Sequence, residues 1–119
     1  MSYFENFIAA VQIANRELYR DHAMQASEIF LRHGALRVIE CWADDIAHGE
    51  VTDFYRAVQA KEDETVVVSW IEWPDRDTRN AGMKKVFEDM PDEMMEMPFD
   101  GRRIVHGGFE TLVDVAPGK

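Results

Sequence analysis

The run Val66-Val67-Val68-Ser69-Trp70-Ile71-Glu72-Trp73 constrains this chain more than any other segment. β-Branched and aromatic residues of this density favour a strand. Successive side chains of a strand point to opposite sides. Both sides are apolar here, so both faces of the sheet that holds this strand must be covered. The helices the chain can supply are enough for one face. A second sheet must then cover the other, most simply that of an identical partner.

The flanking segments specify the rest of the architecture. Residues 3–12 read as a first strand, with Phe4, Phe7, Ile8, Ala9, Ala10 and Val11 giving apolar character on both sides. Asn15 is a good N-cap for a helix from Arg16 to His33. Leu18, Tyr19, His22, Ala26, Ile29, Phe30 and His33 recur along it at helical spacing. Gly34 follows as a natural C′ residue. A second strand spans about 35–43, ending at the polar loop of Asp44, Asp45 and Gly49. Thr52 is placed to cap a short helix burying Phe54, Tyr55 and Val58, whose spacing fits a helix better than strict alternation. The third strand covers 65–73. Pro74 ends it and Asp75 opens a second long helix to about Asp89, with Met83, Val86, Phe87 and Met90 inward. Pro91 to Pro98 reads as a methionine-rich loop, either a lid over a pocket or a plug for the core. The last strand is 103–113, and its Gly107-Gly108 pair marks a bulge or a close backbone approach.

The order β-α-β-(short helix)-β-α-β is the split β-α-β, or ferredoxin-like, arrangement: an α+β domain with a four-stranded antiparallel sheet, here a single domain over 1–119. Right-handed crossovers put both long helices on one side. Even-numbered Val38, Trp42, Val66, Val68 and Trp70 form one apolar set, and odd-numbered Ile39, Cys41, Val67 and Ile71 the other. Leaving either set wet would exceed the apolar patch a monomer tolerates. Burying two or three large side chains is worth roughly 5 kcal/mol per subunit. A C2 homodimer packed sheet against sheet is therefore expected, giving a dimeric α+β barrel.

Charge and motifs narrow the function classes. With 13 Lys+Arg against 23 Asp+Glu the chain carries −10, which disfavours nucleic acid and anionic membrane surfaces as partners. At 46% hydrophobic and 30% charged residues the composition is that of an ordinary globular protein. Cys41 stands alone in an apolar strand, so no intrachain disulfide forms, and the thiol reads as a small hydrophobe in a cytoplasmic chain. The N-terminus lacks the basic region of a signal peptide, and no stretch approaches about 20 apolar residues. His22 and His33 share a helix face but stand roughly 16 Å apart, too far to share an ion. No metal and no cofactor is expected, because ligand pairs, phosphate-cradling loops and nucleophile elbows are all missing.

One constellation suggests chemistry. Glu40 and Trp42 share a strand side, as do Trp70 and Glu72. If their strands are neighbours, both carboxylates lie beside indole rings, and an apolar wall raises a carboxyl pKa towards general acid–base use. Glu40 and Glu72 are thus candidate catalytic groups, with Trp42, Trp70 and Tyr55 as ligand-binding walls. The competing reading pairs these glutamates with Arg37, Arg56 or Arg103.

Four stretches together carry a family resemblance: His33-Gly34-Ala35-Leu36-Arg37-Val38-Ile39-Glu40-Cys41-Trp42, Thr52-Asp53-Phe54-Tyr55-Arg56-Ala57-Val58, Asp63 to Pro74, and Met97-Pro98-Phe99-Asp100-Gly101-Arg102-Arg103. Gly107-Gly108-Phe109 completes them. On these the chain resembles the small bacterial YbaA-like family, a domain of unknown function. The resemblance implies a dimeric α+β barrel and assigns no reaction or catalytic residue. Families sharing that architecture include cofactor-independent monooxygenases, haem-degrading enzymes, decarboxylases and small-molecule sensors, a fold analogy only. The expected function is binding of a small apolar or aromatic molecule beside the sheet. A cofactor-independent monooxygenase-like enzyme and a non-catalytic structural or interaction protein are the alternatives.

Overall fold

The structure is a computed structural model that describes residues 1–118. Strand β1, Tyr3–Gln12, leads through a 3-10 turn into helix α1, Arg16–Arg32, and strand β2 follows at Arg37–Trp42. A long connection carries the four-residue helix α2, Phe54–Ala57, before strand β3, Glu64–Trp73. Helix α3, Arg76–Asp89, the short helix α4, Asp92–Met95, and strand β4, Val105–Glu110, complete the order. The four strands form one antiparallel sheet in the order β2-β3-β1-β4, with the long apolar strands β1 and β3 at its centre. This is the expected α+β, ferredoxin-like topology.

Local chemistry explains the helix ends. Asp75 accepts from the Thr78 N–H at 2.7 Å and so starts α3. Asp53, rather than Thr52, caps α2 by accepting from the Arg56 N–H at 2.8 Å. Asn15 holds the N-cap position of α1 without a side-chain capping bond, and its amide donates to Gln12 Oε1. Gly34 ends α1 at φ 108°, in the left-handed region that glycine adopts cheaply. The methionine-rich segment is not all loop, since α4 forms inside it.

On α1, Tyr19, Ala23, Ala26 and Ile29 form the buried stripe. Leu18 lies about 100° round the helix from Tyr19 and stays exposed. On α3, Gly82 and Val86 are buried, whereas Phe87 remains half in solvent. His33 Nε2 donates to Asp89 Oδ2 at 2.5 Å, joining the C-terminal ends of the two long helices.

Register decides which side chains share a face. Ala9 pairs with Val67, and Val67 with Trp42; Glu5 pairs with Ile71, and Ile71 with Val38. The helix-covered face therefore combines odd-numbered residues of β1 and β3 with even-numbered residues of β2 and β4. Val38 and Trp42 consequently share a face with Val67 and Ile71, not with Val68 and Trp70. The opposite face holds Phe4, Ile8, Ala10, Ile39, Cys41, Val66, Val68 and Trp70.

That opposite face is not left entirely to a partner. The connection between β2 and β3 folds across it, packing Ile46, Tyr55, Val58 and Ala60 onto Ala10, Val66 and Val68. Val58 and Val66 are fully enclosed as a result. Arg103 clamps this connection, with Nη1 and Nη2 donating to Glu64 Oε1 and Oε2 at 2.8 and 2.9 Å and Nη1 also to the Gln59 carbonyl. The Arg103 guanidinium holds the Glu64 carboxyl down at about 2. Beyond the connection, Phe4 and Ile39 are half-buried, while Trp70 is 38% and Phe109 59% exposed. Cys41, on the edge strand β2, is exposed on this face rather than buried. Among the described residues, no helix is long and apolar enough to cross a membrane.

Candidate functional site

Small side chains opposite one another leave space between the helices and the sheet. Ala23 and Ala26 of α1 cannot fill the gap above Phe7 and Ile71, and the result is a cavity of about 460 Å³ that opens to solvent. Phe30, Phe99 and Ile104 wall it, together with the flexible Met83, Met90 and Met97. In the methionine-rich segment Met94 packs in the core between α1 and α3, while Met97 lines the cavity. His22 Nε2 donates to the Met94 carbonyl at 3.1 Å and fastens that segment to α1.

Two carboxylates interrupt this apolar lining. Glu40, in mid-strand on β2 and opposite Ser69, is one. Tyr19 donates its hydroxyl to Glu40 Oε1 at 2.6 Å, and Ser69 donates to Oε2 at 3.0 Å. Burial pushes the Glu40 carboxyl above its ordinary range, and the two hydrogen bonds oppose that rise without cancelling it. Burial, then the adjacent Glu40 charge, push the Tyr19 hydroxyl up, so Tyr19 keeps its proton and acts as donor. Trp42 packs beside Tyr19, with ring centres 6.5 Å apart, and Arg16 lies over its outer face.

Glu5 is the other carboxylate, and the sequence reasoning missed it. It is only 4% exposed, the third residue of β1. Arg79 of α3 donates from Nε and Nη2 to Glu5 Oε1, at 2.8 and 2.6 Å, and its guanidinium stacks over Tyr3. His106 of β4 stands at the cavity rim with Nδ1 3.6 Å from Glu5 Oε2. Gly108, directly opposite Glu5, makes this possible: a Cβ there would collide with the Tyr3 hydroxyl and the Arg79 guanidinium. At the Gly107-Gly108 pair the ladder runs through without a bulge, and the close approach is that of the Tyr3 and Arg79 side chains to Gly108 alone. A charged residue on the inward side of Phe4-Glu5-Asn6-Phe7-Ile8-Ala9 was the available signal.

The remaining candidates divide between the two faces. Strands β2 and β3 are neighbours, yet Glu40 and Glu72 project to opposite sides, because Glu40 pairs with Ser69 and Glu72 with Arg37. Glu72 and Trp70 line a separate cavity of about 660 Å³ on the other face, with Phe4, Arg37 and Ile39. Glu72 accepts from the Ser2 hydroxyl at 2.5 Å. Tyr55 also lies on that face, stacked on His48 with ring centres 4.6 Å apart. Of the five candidates, only Glu40 reaches the cavity lining and only Trp42 packs beside its Tyr19 wall. None of Arg37, Arg56 and Arg103 forms an ion pair with Glu40 or Glu72 among the described residues; Arg56 reaches Asp53, and Arg103 reaches Glu64 and Asp100. Among the described residues, no three His, Cys, Asp or Glu side chains are grouped to hold an ion.

Comparison with known proteins agrees with this architecture. A family profile described as "Protein of unknown function (DUF1428)" matches residues 2–101. The uncharacterized protein YbaA of Escherichia coli K12 is 45% identical over 116 residues, covering 96% of this chain and 99% of YbaA. A dimeric ferredoxin-like protein from an uncultured marine organism superposes with a TM-score of 0.64 at 6% identity, covering 98% and 93% of the two chains. SnoaB, a cofactor-independent oxygenase from Streptomyces nogalater, superposes with a TM-score of 0.52 at 14% identity, covering 98% and 97%. At such identities the two solved structures establish the shared ferredoxin-like fold alone. The match to most of its length and the close relationship to YbaA place this chain in the DUF1428 family.

Proposed function

We propose that this protein binds a small apolar or aromatic molecule in the cavity between α1, α3 and the sheet. The observation that carries the reading is a desolvated carboxylate, Glu40, set in an apolar cavity by Tyr19 and Ser69. Burying a carboxylate costs several kcal/mol unless hydrogen bonds offset it. An aliphatic residue would fill the same place more cheaply, which favours a role in holding a ligand's polar group. The cavity volume lies within the range of small-molecule sites.

The working form is a homodimer in the cytoplasm. Phe4, Ile39, Trp70 and Phe109 leave an apolar patch on the sheet face opposite the cavity, and a second sheet of the same kind covers it by a two-fold. The dimeric state of the marine ferredoxin-like protein supports that arrangement. A cytoplasmic setting accords with the single free thiol.

A second reading makes the site catalytic. A carboxylate whose pKa is raised by burial is a better base, and Glu40 is placed to take a proton from an acidic C–H or O–H of a bound molecule. The cofactor-independent oxygenase activity of SnoaB, on the same fold, supports this alternative.

Binding of 2-naphthol, followed by tryptophan fluorescence, tests the first reading. Saturable binding is expected in the wild type, and Ala26→Leu, which fills the cavity, should abolish it while the melting temperature stays the same or rises. Absence of saturable binding, or binding that survives Ala26→Leu, overturns it. Turnover of the bound compound under oxygen, lost in Glu40→Gln, then separates enzyme from binder.

A further inference from the structure

We infer that the cavity selects an elongated neutral molecule carrying a hydrogen-bond donor at each end, such as an aromatic diol, and rejects carboxylates and phosphates. This rests on the cavity being the ligand site, as proposed above.

The two carboxylates of the cavity have accepting capacity to spare, while the Tyr19 hydroxyl and the Arg79 guanidinium are directed at them. Each carboxylate oxygen can accept two hydrogen bonds. Glu40 receives one on each oxygen, from Tyr19 and Ser69. Glu5 Oε1 receives both bonds from Arg79, whereas Oε2 receives none among the described residues, although the side chain is only 5% exposed. A carboxylate oxygen that accepts no hydrogen bond and borders an open cavity offers an acceptor to a ligand hydroxyl or N–H, with His106 Nδ1 3.6 Å away. The cation that would hold an anionic ligand is committed: Arg79 places Nε and Nη2 on Glu5 and Nη1 on Asn80. The His22 Nε2 proton is given to the Met94 carbonyl. The lining therefore holds two carboxylates against one paired guanidinium and the imidazoles of His22 and His106, and the chain carries −10 overall. An entering anion meets repulsion and no free guanidinium.

The strand register separates the two acceptors. Glu5 lies on β1 and Glu40 on β2, with β3 between them, and they are two residues apart along the ladder. At ordinary strand spacings their Cα atoms stand about 12 Å apart. Phe7, Ile71 and Ala23 fill the interval with apolar surface. A single donor can satisfy one end only, whereas two donors on a rigid apolar body can satisfy both.

Three probes of one size decide the matter: 2-naphthol, naphthalene-2,6-diol and 2-naphthoate, titrated into the full-length protein by calorimetry. The diol is expected to bind about tenfold more tightly than the monool, the value of one further bond to a charged acceptor. Naphthoate is expected to bind at least tenfold more weakly than the monool. In Glu5→Gln, whose amide oxygen still accepts from Arg79, the diol should lose its advantage over the monool. Naphthoate binding as tightly as the monool, or a diol without advantage in the wild type, overturns the inference and leaves the cavity as a ligand site. Failure of all three probes overturns the cavity reading itself. The wild-type comparison separates these outcomes even where the variant does not fold.

Discussion

The two faces of the sheet carry similar apolar inventories and treat them differently. On the helix face, two long helices close over Val11, Val67 and Ile71, and the alanines of α1 leave an internal cavity with two carboxylates in its lining. On the other face, the connection between β2 and β3 covers Ala10, Val66 and Val68, leaving Phe4 and Ile39 half-buried and Trp70 and Phe109 exposed. Glu40 and Glu72 sit on adjacent strands and face these two environments. A carboxylate's role here follows from which face it occupies: Glu40 lies under the helices, where burial pushes its carboxyl up.

The largest effect should come from a charge on the face away from the helices. If that face is the dimer seam, Trp70→Glu buries an unpaired charge at a cost of about 3–5 kcal/mol. Sedimentation of the wild type at micromolar concentration should give twice the 13.8 kDa subunit mass, and the variant one subunit mass. A monomeric wild type would mean that this face is simply exposed.

Next in size is Glu64→Gln, which breaks the two-pronged pair with Arg103 under the covering connection. A loss of about 2 kcal/mol at pH 7 is expected in denaturant unfolding, between the values of exposed and buried pairs. The Glu64 carboxyl lies near 2 when folded against an ordinary 4.5. Its stabilisation is therefore fully present above about 4.5 and lost as pH falls towards 2. The gap between variant and wild type should close over that window; a gap that persists at pH 2 contradicts the assignment.

Glu40→Gln should behave with the opposite sign. Its folded pKa is raised, so its charge costs stability as pH climbs from 4.5 to the folded value and beyond. The variant is expected to match or exceed the wild type by up to about 1 kcal/mol at pH 7, with no gain below pH 4.5. 2-Naphthol binding should weaken about tenfold at the same time. A variant destabilised by more than about 2 kcal/mol would make Glu40 a structural acceptor for Tyr19 and Ser69 instead. Glu72→Gln, on the open side with one hydrogen bond from Ser2, should change stability by less than about 0.5 kcal/mol and leave naphthol binding intact.

Much of the fold was legible because its signals are local. The bounds of β1, the capping of α3 by Asp75 and the end of α1 at Gly34 each follow from residues within a turn or two. Glu40 was also legible, as a carboxylate in an apolar strand. Glu5 was overlooked because its partners, Arg79, His106 and Gly108, are all more than 70 residues away in sequence. The covering of the second face was missed for another reason: Val58 meets Ala10 and Val66 only once the connection folds across the paired strands.

The sequence by itself determined that strands and helices alternate in this order, and that both sides of the central strands must be buried. Alternation along one strand is a property of its own backbone. How one strand's alternation aligns with its neighbour's is set by register, and a shift of a single residue exchanges every side chain between faces. That register placed Glu40 with Glu5 across the cavity and sent Glu72, Trp70 and Tyr55 to the opposite face. Only the tertiary structure could decide it, because register comes from the joint packing of α1, α3 and all four strands.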